Sequence, residues 1–143
     1  DHRFAMAALA AEADPRLTAS RLEEGQSTSY SILTIERVRR ELPAGTELYF
    51  LIGADAFSEI ETWFRWRDVI EQVDFIVLSR PGYVYDIPTG ARVHRLETLQ
   101  LHVSSTDIRR RLAHGEAPPE LPAAVLGYIR ANRLYVGDNV DLD

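Results

Sequence analysis

Cysteine and lysine are both absent from this sequence of 143 residues. Without cysteine, the chain forms no disulfide and has no thiolate for nucleophilic catalysis or for binding zinc. Because lysine is absent, all 16 basic residues are arginines. Any phosphate site in this chain must therefore be built from arginine side chains, hydroxyl groups or backbone N–H groups.

Histidine pairs, long apolar runs and an excess of positive charge are missing as well. The four histidines (His2, His94, His102 and His114) never recur at the three- or four-residue spacing of a helical metal pair, so no metal ligand is predicted. No apolar run approaches the roughly 18–20 residues of a membrane span, and the net charge is −6. The sequence therefore predicts neither a membrane nor nucleic acid as a partner.

What remains is a composition typical of one globular domain, 45% hydrophobic and 27% charged. The domain is predicted over residues 1–136, with a loose acidic tail over 137–143. Apolar alternation and short apolar runs predict strands at 16–22, 47–52, 73–78, 92–96 and 99–103. Three- and four-residue periodicity predicts helices that begin near residues 4, 30, 55, 63, 104 and 119.

The order of these elements predicts an α/β fold with a mainly parallel sheet. The strand at 47–52 is continuously apolar, which is typical of a strand buried on both faces of such a sheet. Open parallel sheets bind ligands at the carboxyl ends of their strands. This rule directs attention to three places, namely residues 53–55, 79–82 and 104–109.

The strongest local signal is the run of three hydroxyls at Ser104, Ser105 and Thr106, followed by Arg109. At a helix start, free N–H groups and the positive end of the helix dipole favour an anion such as phosphate, and arginine adds a forked contact. The alternative is a capping box in which Ser104 is the N-cap and Asp107 reaches back. One hydroxyl can cap while another binds a ligand, so both interpretations stay open.

Two further signals follow the strand at 47–52. Gly53 and Asp55 suit the close approach of a ligand and hydrogen bonds to a ribose hydroxyl, or else a turn followed by a helix cap. Trp63 suits stacking on a flat heterocycle while Trp66 packs inward, unless both tryptophans belong to the core.

Tyr30, Ser31 and Arg80 are weaker signals. The first two offer N–H groups and a hydroxyl at a helix start, although capping explains them equally well. Arg80 follows a strand end and suits a phosphate or an adenine, although turn arginines are often only solvated. Neither paired carboxylates nor a nucleophile with its base stands out. Such cradling groups suit phosphoryl or nucleotidyl transfer, where positioning and charge stabilisation supply most of the catalysis.

Six motifs in order carry a family resemblance: Ser-Tyr-Ser-Ile-Leu-Thr (29–34), Tyr-Phe-Leu-Ile-Gly-Ala-Asp (49–55), Thr-Trp-Phe-Arg-Trp (62–66), Leu-Ser-Arg-Pro-Gly-Tyr (78–83), Val-Ser-Ser-Thr-Asp-Ile-Arg-Arg-Arg-Leu (103–112) and Leu-Pro-Ala-Ala-Val-Leu-Gly-Tyr-Ile-Arg-Ala-Asn-Arg-Leu-Tyr (121–135). Together they resemble bacterial nicotinate-nucleotide adenylyltransferase. The resemblance implies a Rossmann-like nucleotidyltransferase fold and a cytoplasmic enzyme of NAD biosynthesis. The implied reaction joins ATP and nicotinate mononucleotide, with Mg²⁺ accompanying ATP, into deamido-NAD and pyrophosphate. Self-association into a homo-oligomer is left open.

The resemblance also assigns roles to residues. For ATP it implies ribose contacts from Gly53 and Asp55. It implies a phosphate site formed by residues that carry hydroxyl or guanidinium groups: Ser104, Ser105, Thr106, Arg109 and, more weakly, Arg80. Of these, Arg109 is the expected stabiliser of phosphate charge.

For the second substrate, the resemblance implies that Trp63 stacks on the nicotinate ring. Backbone N–H groups around Ser31 and Phe64 are expected to bind the nicotinate carboxylate. Where the family usually has Tyr-Thr, this chain has Tyr30 followed by Ser31, which keeps a hydroxyl.

One departure concerns the start of the fold. The family begins with a strand and a Gly-Gly-Thr-Phe-Asp-Pro-x-His-x-Gly-His loop, which residues 1–143 do not match. We therefore expect a sheet that is incomplete at its N-terminus, with apolar edges left unpaired. We also expect a fragment, or the ordered part of a longer chain, with little or no adenylyltransferase activity of its own. The alternatives are a non-catalytic nucleotide-binding fragment, or a related adenylyltransferase that uses nicotinamide mononucleotide or another phosphorylated acceptor.

Overall fold

The computed structural model describes residues 1–97 and 103–137. The helices are α1 (His2–Ala11), α2 (Ser31–Glu41), α3 (Ala54–Phe57), α4 (Trp66–Gln72), α5 (Ser105–Ala113) and α6 (Ala123–Ala131), with a 3₁₀ turn at Ile60–Thr62. The strands are β1 (Tyr49–Gly53), β2 (Asp74–Ser79) and β3 (Val93–Glu97). The chain divides into two compact units, one formed by Leu22–Gln100 and the other by Asp1–Arg21 with Leu101–Asp143.

The Leu22–Gln100 unit contains a parallel sheet in the order β1-β2-β3. In its register Gly53 lies beside Leu78, and Ser79 lies beside Glu97. Because all three strands run in the same direction, their carboxyl ends meet at one edge of the sheet. The predicted α/β fold with a parallel sheet is therefore confirmed.

The core of this unit lies on one face of the sheet. Phe75 and Val77 of β2 are fully buried there, in one cluster with Ile32 of α2 and Val69 of α4. Phe57 belongs to the same cluster, and its ring contacts that of Phe75 edge-on. Their alternation with less buried residues along β2 follows the period of two that orients strand side chains to opposite faces.

Burial on both faces of β1, as predicted from its apolar run, is wrong. Only Ile52 of that strand is buried, whereas Leu51 is 63% exposed and Tyr49 is 46% exposed. Within the described residues β1 pairs with β2 alone, and the helices of this unit pack on the face that carries Ile52. An apolar run measures the hydrophobicity of a segment, but the neighbouring elements decide which of its side chains are covered.

A charged cluster marks the amino end of the sheet. The Asp74 carboxylate accepts a 2.5 Å hydrogen bond from Arg92 Nε, and His94 Nε2 lies 3.1 Å from its second oxygen. The hydrogen bond from Arg92, followed by that from His94, lowers the pKa of Asp74 below its ordinary value. This cluster lies at the end of the strands opposite the one where parallel sheets bind ligands.

The strand predicted at 16–22 does not form. Residues 17–21 are irregular. In the turn before them, Arg16 donates hydrogen bonds from its backbone N–H and from its guanidinium to the Asp14 carboxylate. Alternation of apolar and polar residues predicts a strand only where a partner strand is available, and no strand of the described residues pairs with this segment.

Helix boundaries differ in two further places. The stretch predicted at 63–72 is interrupted by a left-handed residue, Arg65, so α4 begins only at Trp66. The last helix begins at Ala123, because Pro122 occupies its N-cap and a turn precedes it. Of the strand predicted at 99–103 only Val103 is described, as irregular backbone. The tail predicted at 137–143 lies outside the described residues except for Gly137.

The second unit is helical in its described part. Leu112 of α5 and Val125 and Ile129 of α6 are buried together, and Met6 and Leu9 of α1 pack against them. The ring nitrogen Nδ1 of His2, also in α1, lies 2.9 Å from the hydroxyl of Tyr128 in α6. None of the helices in the described ranges combines the length and the apolar character needed to cross a bilayer.

Candidate functional site

Gly53 ends β1 and Asp55 follows it, at the edge where the strands of the sheet end. Gly53 is the N-cap of α3 with an ordinary φ of −74°, so its backbone conformation does not require glycine. A Cβ built on Gly53 would meet no heavy atom within 4 Å. The space beside this backbone is therefore open, which suits the approach of a ligand to the strand end.

Asp55 takes part in a contact that its place in the sequence does not predict. It lies in the first turn of α3 but caps no N–H group; instead, its Oδ1 accepts a 3.0 Å hydrogen bond from the hydroxyl of Tyr83. Tyr83 follows β2, where its N–H donates to the carbonyl of Arg80 and Gly82 closes the turn with a φ of +77°. The ends of β1 and β2 are thus joined through a carboxylate and a phenol.

Arg80 belongs to the same strand end. Its side chain is exposed, and its guanidinium has neither a hydrogen-bond nor an ion-pair partner in the described part of the chain. A cation without a protein partner beside an open strand end is available to an anionic ligand. Tyr83 was not nominated from the sequence, although it ends the Leu-Ser-Arg-Pro-Gly-Tyr motif at 78–83.

Three aromatic residues, Tyr30, Trp63 and Phe64, form the next part of the site. The rings of Tyr30 and Phe64 lie 4.6 Å apart between centroids, and they are 40% and 50% exposed. Trp63 is half-buried, packs against the core and lies 5.7 Å from the ring of Phe50. Trp66 also packs against that core, as the sequence predicted. The contact between Tyr30 and Phe64 brings together two segments that are 34 residues apart.

Backbone N–H groups are free on both sides of this aromatic contact. Within α2, Leu33 and Thr34 donate to the carbonyl of Tyr30, while the N–H of Ser31 has no acceptor among the described residues. The first turn of α2 contains no acidic residue, and the N–H of Phe64 makes no hydrogen bond within the described ranges either. Although the Glu23 carboxylate accepts a 2.8 Å hydrogen bond from the hydroxyl of Thr34 beside this helix start, the unpaired N–H groups favour a negatively charged ligand group.

Arg65 connects the Trp63–Phe64 segment to α2. Its Nη2 lies 2.8 Å from Glu36 of α2, and its Nε lies 2.6 Å from Asp68 of α4. The hydrogen bond to Glu36, followed by that to Asp68, raises the pKa of Arg65 above its ordinary value. This network was missed from the sequence, because Glu36 and Arg65 are 29 residues apart and no local pattern relates them.

The hydroxyl run begins α5 in the other unit. Ser104 is the N-cap, and its Oγ accepts a 3.4 Å hydrogen bond from the N–H of Asp107. The side chains of Ser105 and Thr106 are exposed and have no hydrogen-bond partner in the described ranges. The Asp107 carboxylate does not reach back as a capping box requires, because it pairs with Arg110.

The three consecutive arginines of α5 are in different environments. Arg110 pairs with Asp107, and Arg111 lies 3.1 Å from Glu116 and 3.2 Å from Glu120, contacts that raise its pKa. The guanidinium of Arg109 has no carboxylate partner in the described part of the chain, and its Nε is shielded from solvent without a hydrogen bond. Arg109 is therefore the arginine of this run that remains available for a ligand.

The sequence-predicted residues fall into three groups. Gly53, Asp55 and Arg80 lie at the strand ends of the Leu22–Gln100 unit. Tyr30, Ser31, Trp63 and Phe64 form the aromatic and N–H group of the same unit. Ser104, Ser105, Thr106 and Arg109 lie at the start of α5 in the other unit. In the described ranges no three histidine, aspartate or glutamate side chains are grouped as metal ligands.

Known proteins that resemble this chain identify its family. The model of the cytidylyltransferase-like family matches residues 1–111. A probable nicotinate-nucleotide adenylyltransferase of Solibacter usitatus is 55% identical over 94% of this chain and 72% of its own length. A protein of the same name from Thermus thermophilus is 37% identical over 93% of this chain and 72% of its own length.

Solved structures show the same fold. Plasmodium falciparum nicotinic acid mononucleotide adenylyltransferase complexed with APC aligns with a TM-score of 0.70 at 16% identity, covering 94% of this chain and 74% of its own. The same enzyme complexed with NaAD aligns with a TM-score of 0.68 at 16% identity, covering 94% of this chain and 73% of its own. The predicted Rossmann-like nucleotidyltransferase fold is confirmed.

Proposed function

Because this chain belongs to the cytidylyltransferase-like family and, within it, to the nicotinate-nucleotide adenylyltransferases, we propose that it transfers the adenylyl group of ATP to nicotinate mononucleotide. The products are deamido-NAD and pyrophosphate, and the reaction belongs to NAD biosynthesis. The observation that carries the proposal is the 55% identity over 94% of the chain to the Solibacter usitatus relative. Both substrates are nucleotides, in keeping with open strand ends in a parallel sheet.

The proposed reaction is a displacement at the α-phosphorus of ATP. A phosphate oxygen of nicotinate mononucleotide forms a bond to that phosphorus, while the bond between it and the oxygen leading to the β-phosphate breaks. Pyrophosphate leaves with the electron pair. No protein nucleophile is needed, so the residues act by holding both nucleotides in line and by stabilising charge on the phosphate oxygens.

For ATP, we propose that Asp55 accepts hydrogen bonds from the ribose beside the open backbone of Gly53. Tyr83 occupies one oxygen of this carboxylate and thereby orients the other. Arg80, which has no protein partner in the described ranges, is proposed to bind phosphate or adenine. These assignments are supported by the shared strand end and by the open space at Gly53.

For the ATP phosphates, we propose the start of α5. The hydroxyls of Ser105 and Thr106 are available, and Ser104 both caps the helix and presents its hydroxyl. Arg109 is the proposed stabiliser of phosphate charge, because its two neighbouring arginines are engaged by carboxylates. A guanidinium gives two parallel hydrogen bonds to phosphate oxygens, a geometry that an ammonium lacks.

For nicotinate mononucleotide, we propose that Trp63 stacks on the nicotinate ring and that the N–H groups of Ser31 and Phe64 bind its carboxylate. Tyr30 lines the same place through its ring contact with Phe64. An amide in place of the carboxylate would bring no negative charge to the helix start. The site therefore favours the acid nucleotide over nicotinamide mononucleotide.

Mg²⁺ is proposed to arrive bound to the phosphates of ATP, where it would neutralise charge; such a cation keeps several waters and needs few protein ligands. No protein ligand is assigned to it. The cytoplasmic location and the question of a homo-oligomer stay predictions from the sequence, as does the low activity expected of the 143 residues alone.

Incubating the intact protein with ATP, Mg²⁺ and nicotinate mononucleotide, and separating the products, tests the proposed function. We expect deamido-NAD and pyrophosphate in equal amounts, and a lower kcat/KM when nicotinamide mononucleotide replaces the acid. Equal or better turnover of the amide nucleotide would contradict the proposed carboxylate site. Binding of ATP without turnover of either acceptor would favour the non-catalytic alternative.

A further inference from the structure

Arg65 combines an unusual backbone conformation with a fixed side chain. Its φ of 51° and ψ of 42° lie in the left-handed region, which glycine adopts easily and other residues rarely. Within the described ranges, the other non-glycine residues with positive φ are Arg133 and Tyr135, which lie in the other unit. Residues held in this region persist where the surrounding structure determines them strongly, and they cluster at functional sites.

Two carboxylates from different helices hold the guanidinium of Arg65. Nε lies 2.6 Å from Asp68, three residues later in α4, and Nη2 lies 2.8 Å from Glu36 in α2. The planar fork of arginine reaches both partners at once, which the single charged nitrogen of lysine cannot do in the same geometry. Because two carboxylates of the protein balance its charge, the guanidinium of Arg65 suits a structural tie better than a contact with the substrate.

The residue directly before Arg65 is Phe64, whose N–H is free and whose ring contacts Tyr30 at the start of α2. Glu36 lies on α2 as well, about one and a half turns further along. The segment that contains Phe64 is therefore tied to α2 at two points, by the aromatic contact and by the ion pair. These ties set where the N–H of Phe64 lies relative to the N–H of Ser31.

Resting on the proposed function, we propose that Arg65 is a positioning residue for the acceptor nucleotide. By pairing with Glu36 it holds the Trp63–Phe64 segment against α2. The free N–H groups of Ser31 and Phe64 and the indole of Trp63 can then contact the same acidic pyridine nucleotide. The pair between Arg65 and Glu36 joins the two segments, whereas the pair between Arg65 and Asp68 is local to α4. The first pair should therefore matter more for binding than the second.

Four variants of the intact protein separate these contributions. Arg65→Gly removes the guanidinium but accepts the left-handed backbone without strain. Glu36→Gln removes the charge that joins the segment to α2, and Asp68→Asn removes the local partner. Arg92→Gln is the matched control, since it breaks another exposed arginine–carboxylate pair in the same unit, at the opposite end of the sheet.

The first measurement needs no ligand. In protein labelled at tyrosine and phenylalanine, a nuclear Overhauser effect between the rings of Tyr30 and Phe64 reports their 4.6 Å contact. We expect it to weaken at least twofold in Arg65→Gly and Glu36→Gln and to persist in the Arg92→Gln control. A contact that is unchanged in Arg65→Gly would overturn the inference, whether or not the protein binds any nucleotide.

The second measurement is calorimetric titration with nicotinate mononucleotide and, separately, with ATP. We expect Arg65→Gly to lower the affinity for nicotinate mononucleotide about five- to tenfold, and Glu36→Gln to lower it nearly as much. Asp68→Asn should lower it less than threefold, and the affinity for ATP should stay within twofold of the parent in all variants. Equal losses for both nucleotides, or a loss in Asp68→Asn as large as in Glu36→Gln, would refute the positioning role. If the ring contact weakens as expected but the parent protein binds no nicotinate mononucleotide, the proposed function fails while the structural tie stands.

Discussion

Replacing Trp63 by alanine tests whether this side chain serves the ligand or only the core. Trp63 is half-buried, packs against the core of the Leu22–Gln100 unit and contacts the ring of Phe50. Trp66, three residues later, also packs against that core. The Arg67 guanidinium lies over the Trp66 ring, with its carbon Cζ 4.4 Å from the ring centroid. Trp66→Ala is therefore a matched control for the loss of packing.

The expected magnitudes follow from burial. Truncating a fully buried tryptophan costs about 3–5 kcal/mol, and a half-buried one roughly half as much, so each variant should lose about 2 kcal/mol of unfolding free energy. Stacking of an aromatic side chain on a base contributes about 1–3 kcal/mol. We take the lower part of that range for a single pyridine ring, which corresponds to a loss of about tenfold in affinity.

Chemical denaturation and calorimetric titration supply the two measurements. We expect both variants to lose similar unfolding free energy. Only Trp63→Ala should lower the affinity for nicotinate mononucleotide, about tenfold, while its affinity for ATP stays within twofold of the parent. If the two variants lower the affinity for that nucleotide equally, or if neither lowers it, Trp63 is a packing residue and the proposed stacking role is refuted.

Three other substitutions test separate contacts. Arg109→Gln should raise the KM for ATP at least tenfold in steady-state kinetics, whereas Arg110→Gln should change it less than twofold, because Arg110 is already paired; equal effects would contradict the assignment. Tyr83→Phe should raise the KM for ATP about two- to fivefold while costing under ~1 kcal/mol of stability, and an unchanged KM would remove its orienting role. Asp74→Asn should destabilise the protein at pH 7, and because the folded pKa of this carboxylate is depressed, the difference should shrink in denaturation experiments as the pH falls below about 4; a difference independent of pH would show that its ion pairs contribute nothing.

Several predictions that depended on local pattern agree with the structure. Periodicity placed α2 up to Pro43, and the run before Gly53 and the run before Arg80 are strands as predicted. The side chain of Ser104 caps α5, which is one of the two roles that the sequence predicted for it. These features depend on residues within one or two turns of each other, which is the range over which side-chain spacing and capping act.

Predictions that required knowledge of distant neighbours were less successful. Alternation at 16–22 predicted a strand that does not form, and the apolar run of β1 predicted burial that Leu51 does not have. Both outcomes depend on whether another element covers the segment. The sequence singled out Arg109 in the triplet of α5, but the pairing of Arg111 with carboxylates was not predicted, since it depends on where Glu116 and Glu120 lie.

The sequence alone established the class of fold, the family and the residue types that a nucleotide requires. These features depend on the identity of the side chains and on their spacing along the chain, both of which can be read from the sequence. The tertiary structure alone decided that Tyr83 donates to Asp55, that Phe64 meets Tyr30 and that Arg65 pairs with Glu36. Each of these contacts joins residues 28 to 34 positions apart, and such pairs meet only after the sheet and its helices have packed.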